Sequence, residues 1–287
     1  MPLAVRLAVR PMSRHDLRMV LDWAAAEGWN PGLRDAETFF AADPGGFLLA
    51  EADGEPVGGI AAVNYDERFG FAGLLAVRPE HRGARHGAAL LRAALHRFGG
   101  RTIGLDGVIA KQRVYRTFGF RAAYRTIRYE ASAGPCDLRA ADSPAQFVDL
   151  RSLPLANLVA YEAPMFPASR PQFLQSWIHQ PGTIALGLRQ LGRLVGYGVL
   201  RPCHVGCRVG PLFADHQSLA ELLLEGLLAA APGANVYLDV PEPNLAAMAL
   251  ARRRGMKPCF RTVRMYRGAA PAIDLGRVYG VTSLELG

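Results

Sequence analysis

Apolar residues at the start of the chain recur first at extended and then at helical intervals. Residues 3–10 alternate as a β-strand does, and from Ser13 to Ala24 the apolar positions follow the helical period. Ser13 stands where a helix N-cap is expected. A second, short helix is predicted over residues 34–42, and the Asp-Pro-Gly-Gly segment at 43–46 ends it.

The rest of the first half alternates strands and helices. Residues 46–79 predict three strands, joined by Asp53-Gly54 and by a polar turn at 66–68. A helix is predicted over 87–98, a strand over 102–106, a helix over 110–118 and then a last pair of strands around Phe120 and residues 125–131. The predicted order is therefore β-α-α-β-β-β-α-β-α-β-β.

The second half repeats this order after a break in the pattern. Residues 132–144 lack apolar periodicity and are predicted to form a linker. The elements predicted beyond it are a helix at 171–180, a hairpin at 183–202, a strand at 207–213, a helix at 218–231, a strand at 235–240, a helix at 244–255 and a strand at 262–268. Residues 278–287 could add a final strand. The pattern indicates an internal repeat of about 130 residues, hence domains at 1–131 and 145–287.

Composition and charge restrict the class of protein. The chain has 287 residues, half of them apolar, which suffices for buried cores in two domains of ordinary size. The formal net charge is +8, but the basic residues are almost all arginine and are scattered, without a basic stripe interleaved with aromatics. We therefore expect a solvated basic surface and no nucleic-acid partner. One focused anion site is compatible with that surface.

Membrane and metal signals are weak. No apolar run approaches the roughly 20 residues that a membrane span requires, and the N-terminal segment, with Arg6 and Arg10, does not have a signal-peptide design. We expect a cytoplasmic protein with no membrane partner. The four cysteines form no CxxC pair; His204 lies between Cys203 and Cys207, but no second cluster at zinc spacing follows. We expect reduced thiols and no metal.

The connection between the third predicted strand of the first half and the next helix has the features of an anion site. It is basic and contains two glycines where backbone N–H groups at a helix start are free. Glycine allows close approach to the backbone, and arginine adds positive charge. The common nucleotide-binding glycine motifs do not fit its spacing. On this turn alone, a plain strand-to-helix connection with solvent-facing arginines is equally compatible. The residues that would bind a phosphate or pyrophosphate are Arg82, Gly83, Ala84, Arg85, His86, Gly87 and Ala88.

A second motif strengthens the functional interpretation. Residues 114–120, VYRTFGF, resemble the Y-x-x-x-G-F segment of GNAT-type N-acetyltransferases through Tyr115, Gly119 and Phe120. The basic turn resembles the coenzyme A loop of that family, Arg/Gln-x-x-Gly-x-Gly/Ala, and the family has the element order predicted above. Arg85 stands where the family usually has glycine. We expect helical φ and ψ at Arg85, which a residue other than glycine can adopt.

The resemblance implies roles for these residues. The turn would bind the pyrophosphate of acetyl-CoA, and Tyr115 would protonate the departing thiolate, which a phenol with a pKa near 10 can do. The strand before the turn would splay from its neighbour after a bulge. Its free backbone groups, which would bond to the pantetheine amides, belong to Leu75, Ala76 and Val77.

No residue stands out as the base that takes the proton from the acceptor amine. Asp66, Glu67 and Asp106 are candidates by position, and each is also explained as a turn residue or a cap. Water could serve equally well. Gly119 fits a helix C′ residue, where a positive φ is favoured.

The second half resembles the C-terminal domain of tandem GNAT proteins but has weaker motifs. Asp215 and His216 stand where the basic turn would be, and an acidic residue there would repel a phosphate. In the helix predicted over 244–255, Ala251 takes the place of the tyrosine. The positions of this helix that do resemble the family pattern are Asn244, Ala247, Leu250 and Gly255.

Together these features predict a fold of the α/β (α+β) class with two GNAT-like domains. Each would have a mixed, mostly antiparallel central sheet flanked by helices. The implied function is acetyl-CoA-dependent N-acetyl transfer to an acceptor amine by direct attack in a ternary complex. A non-catalytic acyl-CoA-binding or sensing protein is the alternative. The acceptor could be a small-molecule or a peptide amine, and the oligomeric state is not predicted.

Overall fold

A computed structural model describes residues 6–133 and 144–287. The predicted linker at 132–144 therefore falls almost wholly outside the described residues, as does the start of the strand predicted over 3–10. The elements of the first half are β1 (Leu7–Pro11), α1 (Arg14–Ala26), α2 (Asp35–Ala42), β2 (Phe47–Ala52), β3 (Glu55–Asn64), β4 (Phe69–Val77), α3 (His86–Phe98), β5 (Thr102–Val108), α4 (Gln112–Thr117) and β6 (Arg121–Ser132).

Local sequence signals explain where several of these elements begin and end. Ser13 caps α1: its hydroxyl accepts the Asp16 N–H at 3.2 Å, and the Asp16 carboxylate accepts the Ser13 N–H at 2.8 Å. Gly119 ends α4 with a φ of +88°, the left-handed conformation that favours glycine. Both signals are read correctly from the sequence.

One element of the first half differs from the prediction. The expected pair of strands after α4 is a single strand, β6, that runs for 12 residues from Arg121. Its sequence, RAAYRTIRYEAS, contains no glycine or proline that could turn the chain, so it continues extended.

The second half contains the predicted elements and two that the pattern did not show. Its elements are β7 (Gln146–Asp149), α5 (Leu155–Glu162), α6 (Pro171–Ile178), β8 (Ile184–Gln190), β9 (Arg193–Pro202), β10 (Cys207–Ala214), α7 (Gln217–Ala229), β11 (Asn235–Pro241), α8 (Leu245–Arg253), β12 (Lys257–Arg267) and β13 (Val278–Gly280). The strand β7 and the helix α5 were missed, because four residues and two helical turns give too little periodicity to recognise.

The described strands form one continuous sheet in the order β1-β2-β3-β4-β5-β12-β6-β11-β10-β9-β8-β7, with β13 paired to β10. Among the described strand pairs, only β4–β5 and β10–β11 are parallel. The predicted fold class, a mixed and mostly antiparallel sheet flanked by helices, is confirmed.

The two halves exchange strands in the middle of this sheet. β12, from the second half, pairs with β5 and β6 of the first half, and β6 in turn pairs with β11 of the second. Buried ion pairs accompany the exchange: Arg264 on β12 bonds to Asp106 on β5, and Arg128 on β6 bonds to Asp239 on β11. Each half therefore completes the sheet of the other.

Residues 281–287 add a further connection. The whole segment is buried and runs from the second half towards the first. Its Thr282 carbonyl lies against Gly210 on β10, and its Glu285 carbonyl lies against Gly73 on β4. The hydroxyl of Tyr65 donates to the Leu286 carbonyl at 2.8 Å. This segment therefore touches the sheet of both halves.

None of the described helices combines the length and the apolar character that a bilayer crossing needs.

Candidate active site

A cavity of about 590 Å³ lies at the end of β4, between the start of α3 and the side of α4. Of the sequence-predicted site residues, Tyr115, residues 75–77, Arg82, Gly83 and residues 85–88 line it, and Ala84 does not. Residues from the segment after α1, from β6 and β12 and from the 281–287 segment contribute to the wall. The fold thus brings the predicted turn, strand and tyrosine to one cavity.

The cavity exists because β4 and β5 diverge. They pair in parallel only from Phe69–Ala72 against Thr102–Leu105. Beyond that point β4 stays paired with β3, but through a bulge, since Gly59 faces Ala76 and Ala61 faces Gly73. The extra residue leaves Leu74 with a φ of +50°. The edge of residues 75–77 that would face β5 consequently borders the cavity.

The turn at 82–88 ends in a helix start without a side-chain cap. The first residue of α3 is His86, and the preceding Arg85 makes no capping bond. The N–H groups of the first turn are therefore available for an anion, with the positive end of the helix dipole behind them. His86 is buried, and its Nδ1 has no hydrogen-bond partner among the described residues. A ligand with acceptor or donor atoms would satisfy this site.

Arg85 does not have the conformation expected from the sequence. Its φ of +63° and ψ of +9° are left-handed, not right-handed helical. Glycine adopts this conformation without steric cost, which explains why the resembling family places glycine at this position. Arg85 thus keeps the family backbone at the expense of local strain, and its side chain is exposed.

Replacing Arg85 with glycine should therefore stabilise the protein. The gain should be about 0.5–1 kcal/mol in the free energy of unfolding, because the relief of left-handed strain exceeds the entropy that glycine adds to the unfolded chain. Urea denaturation measures it. Ala84→Gly is the matched control, since Ala84 has no positive φ and its replacement should lower stability by a similar amount. Equal losses in the free energy of unfolding in Arg85→Gly and Ala84→Gly would contradict the assignment of left-handed strain to Arg85.

Arg82 is held at the rim of the cavity by two contacts. Its Nη2 atom lies 2.5 Å from the carboxylate of Glu27, the residue directly after α1, and its Nε donates to the Val77 carbonyl at 3.0 Å. The side chain is about half exposed. Arg82 is thereby fixed beside the end of β4, where its remaining N–H groups could reach an anion at the start of α3.

Tyr115 lies across the cavity on α4. Its ring packs flat against β5, so close that a Cβ atom on Gly107 would lie 2.6 Å from Tyr115 Cε2. Phe120 supports the ring from the edge, with centroids 6.3 Å apart. Burial raises the pKa of Tyr115 to about 12, because the phenolate would lose solvation. The phenol is therefore a stable proton donor at neutral pH.

Of the three candidate bases, only Asp106 borders the cavity. Asp66 accepts the N–H groups of Arg68 and Phe69 and is a turn residue. Glu67 is exposed. Asp106 is bonded through both oxygens to Arg264, at 3.0 and 2.7 Å. A carboxylate held in this way is poorly placed to take a further proton.

The wall of the cavity also includes residues that sequence reasoning missed. Among them are Trp29, which follows α1, and five residues from exchanged or C-terminal segments: Arg128, Phe260, Thr262, Leu284 and Glu285. No local motif marks them, because only the strand exchange and the course of residues 281–287 bring them to β4.

The corresponding place in the second half is filled by the chain itself. β10 and β11 also diverge after a bulge, but β13 pairs with β10 and the Val281 N–H donates to the Asp239 carbonyl of β11. Asn244, which caps α8, holds this segment through the carbonyls of Leu275, Gly276 and Val278. The gap that is open in the first half is thus closed in the second.

The loop before α7 is also occupied. Asp215 accepts a hydrogen bond from the Tyr161 hydroxyl at 2.9 Å and forms a close ion pair with Arg277. A carboxylate stands here where the first half has arginines. The expectation that this loop suits a phosphate poorly agrees with these contacts.

In the described part of the chain, no group of three or more histidine, cysteine, aspartate or glutamate residues is arranged to hold an ion.

The chain is similar to known proteins over nearly its whole length. A family model described as "Acetyltransferase (GNAT) family" matches residues 14–120, and one described as "Acetyltransferase (GNAT) domain" matches residues 158–280. A protein of Pseudoalteromonas sp. named holothin acyltransferase is 29% identical over 279 residues, which cover 97% of this chain and 94% of that protein.

Solved structures show the same fold. A Pyrococcus horikoshii protein assigned to the acetyltransferases superposes with a TM-score of 0.81 at 24% identity, over 98% of this chain and 96% of that one. A tandem GNAT protein from the clavulanic acid biosynthesis pathway gives a TM-score of 0.64 at 17% identity, over 93% of this chain and all of that one.

These matches support acyl transfer as the general activity. The two family models together cover both halves, and the holothin acyltransferase spans both. In the first half, the diverging strands, the uncapped helix start and Tyr115 on α4 border one cavity. The chain belongs to the GNAT family of acyltransferases and contains two GNAT domains in tandem.

Proposed function

We propose that the protein transfers an acetyl group from acetyl-CoA to an acceptor amine, with the first half binding the coenzyme. The observation that carries the proposal is the contrast between the halves. In the first half the gap between the diverging strands is open and lies next to an uncapped helix start. In the second half β13 fills the same gap.

The residues at the open gap suit coenzyme A. The N–H groups at the start of α3, together with Arg82 and Arg85, would hold the pyrophosphate. The free edge of residues 75–77 would form β-type hydrogen bonds with the pantetheine amides. The unpartnered Nδ1 of His86 gives the bound molecule one more polar contact.

This placement supports direct transfer of the acetyl group. The amine nitrogen would attack the acetyl carbon, and the carbon–sulfur bond would break as the electron pair moves to sulfur. Tyr115 would donate its proton to that sulfur, since its phenol is kept neutral by burial. The reaction needs no covalent acyl-enzyme, so acceptor and donor must occupy the cavity together.

The second half would form the acceptor end of the same cavity. Its exchanged strand β12 and its 281–287 segment supply Phe260, Thr262, Leu284 and Glu285 to the wall. We therefore assign residues 1–131 to coenzyme binding and catalysis and residues 145–287 to the acceptor site. The name of the holothin acyltransferase is consistent with a transfer reaction to a specific acceptor.

A charge placed at the helix start tests coenzyme binding. Gly87 is the second residue of α3, and a side chain there meets only Val77 Cγ2, at 3.6 Å. Gly87→Asp should keep the fold, because a carboxylate in the first turn of a helix is favourable. It should weaken coenzyme A binding by about 2 kcal/mol, or about 30-fold, through repulsion of the pyrophosphate. Isothermal titration calorimetry measures the change.

Ser218→Asp is the matched control, since Ser218 is the second residue of α7 and is exposed. It should leave coenzyme A affinity unchanged. If Ser218→Asp weakens binding and Gly87→Asp does not, the coenzyme binds in the second half and the proposal is wrong. Release of free thiol from acetyl-CoA in the presence of an amine panel separates catalysis from sensing, because a sensor would bind without turnover.

A further inference from the structure

Buried carboxylates around the boundary between the halves are held by arginines at short distances. Asp106 bonds to Arg264 at 2.7 Å, and Asp239 bonds to Arg128 at 2.7 and 2.9 Å. Asp35 likewise lies 2.9 Å from an arginine nitrogen. Asp106 and Asp239 are bonded through both oxygens. Asp35 keeps an unpartnered Oδ1 but does not line the cavity, so these three carboxylates contribute to the fold and not to a ligand site there.

Glu285 is different. It is 4% exposed, and its nearest cation, Arg208, is 3.8 Å away, too far for a hydrogen bond. Arg208 donates through Nη2 to the carbonyls of Trp29 and Asn30, whereas its Nη1 and Nε have no hydrogen-bond partner among the described residues. The Oε2 atom of Glu285 has no hydrogen-bond partner among the described residues. A buried carboxylate oxygen without a donor is costly and points to a partner that comes from outside the chain.

The position of Glu285 connects it to the reacting end of the cavity. Its backbone carbonyl packs so tightly on β4 that a Cβ atom at Gly73 would lie 1.9 Å away. Gly73 directly precedes the bulge at which β4 leaves β5. Glu285 lines the cavity at this point, as does Thr262, whose Oγ1 is buried and also lacks a partner in the described structure.

The surroundings of these polar atoms are largely apolar. Leu284 is buried beside Glu285, and Phe260 and Trp29 are partly buried at the same wall. The guanidinium of Arg128 lies 5.6 Å from the ring of Phe260 but is occupied by Asp239. A ligand that fits this end therefore has a cationic donor for the carboxylate and an aromatic or apolar body.

We propose that Glu285 binds the acceptor as a primary ammonium carried on an aromatic or apolar body, and that it takes the amine proton during transfer. This inference rests on the proposed function. The bound ammonium first gives one proton to the Glu285 carboxylate, which leaves a lone pair on nitrogen. That lone pair forms the C–N bond while the C–S bond breaks and the proton of Tyr115 goes to sulfur. Solvent takes the second N–H proton, returns a proton to the Tyr115 phenolate and removes the first proton from Glu285.

Paired ligands that differ only in charge test this assignment. 2-Phenylethylamine and its neutral analogue 2-phenylethanol are titrated into the full-length protein, with and without saturating coenzyme A. The amine should bind the wild type at least tenfold more tightly than it binds Glu285→Gln, because a charge-assisted bond is lost. The alcohol should bind both proteins equally. Glu55→Gln, at an exposed position on β3, should match the wild type in both titrations.

Each result decides between specific outcomes. If the wild type does not prefer the amine to the alcohol, or if Glu285→Gln keeps the preference, the assignment of Glu285 is wrong. If Glu285→Gln does not fold, the wild-type comparison of amine with alcohol decides alone. If the protein does not bind coenzyme A, the proposed function fails, and the titration without coenzyme still tests the amine site separately. Turnover of 2-phenylethylamine with acetyl-CoA should fall with its affinity in Glu285→Gln.

Discussion

Tyr115→Phe should lower kcat by about 100-fold or more while leaving coenzyme A affinity within a factor of about two. General acid catalysis contributes about 10²–10⁴-fold to such reactions, and the phenol is the donor that the cavity offers opposite the β4 edge. The affinity should hold because the ring, which provides the contact with β5, is retained. Steady-state kinetics and calorimetry on the same samples provide both values.

Tyr124→Phe is the control for loss of a buried hydroxyl. Tyr124 is on β6 near Arg264 and does not line the cavity. Its replacement should leave kcat unchanged. Full activity in Tyr115→Phe would show that water or another group protonates the thiolate, and would remove the tyrosine from the mechanism.

The pKa of Tyr115 also fixes the sign of the pH dependence. Burial raises it to about 12, so the phenol is protonated at every pH below that value. The wild-type rate should therefore show no loss from Tyr115 ionisation up to about pH 10. An unperturbed phenol, with a pKa near 10, would already be half ionised there.

Much of the first half could be predicted because its signals are local. The Ser13 capping box, the glycine that ends α4 and the basic turn before α3 each depend on residues only a few positions apart. Short-range rules of capping and turn conformation suffice for such features. The order of elements in the first half was accordingly close to the structure, apart from β6.

The features that were missed depend on contacts distant in sequence. Glu285 reaches β4 only because residues 281–287 cross from one half to the other, over more than 200 positions of the chain from Gly73. The exchange of β6 and β12 has no signature in either strand, since each would pair equally well with a neighbour in its own half. Hydrophobic periodicity specifies which face is buried and not which strand lies alongside.

Arg85 shows a different limit. Its position in the motif was recognised, but its backbone conformation was expected to be helical and is left-handed. The family preference for glycine was the available signal, because glycine at a turn commonly marks a positive φ. The substitution was interpreted as a change of conformation, whereas the structure retains the conformation and carries the strain.

The second half was expected to bind phosphate poorly because of Asp215, and the structure adds a stronger reason. The gap beside β10 is filled by β13, so the second half lacks a free strand edge at that gap as well as the basic turn. The same fold thus appears twice, once with an open gap and once with a closed one. We infer that the C-terminal segment closes one site and, at Glu285, helps to build the other.

The ion pair between Arg264 and Asp106 should be the most sensitive point of the strand exchange. Both side chains are buried, and Arg264 also packs over the ring of Phe71, 5.0 Å from its centroid. Arg264→Met should lower the free energy of unfolding by about 3–5 kcal/mol, because it leaves the Asp106 charge buried without a partner. Urea denaturation followed by fluorescence of Trp23, Trp29 and Trp177 measures the change.

The double variant Arg264→Met with Asp106→Leu provides the control through a thermodynamic cycle. Removing both charges should recover most of the loss, since two apolar side chains can replace a buried pair at little cost. Trp29 belongs to the first half and Trp177 to the second, and each contacts the other half through Arg208 and Phe39 respectively. Single-tryptophan versions therefore follow the boundary between the halves from its two sides. Because β12 and β6 join the halves into one sheet, both reporters should show the same midpoint in every variant. Separate midpoints in the wild type would mean that the exchanged strands do not couple the two halves.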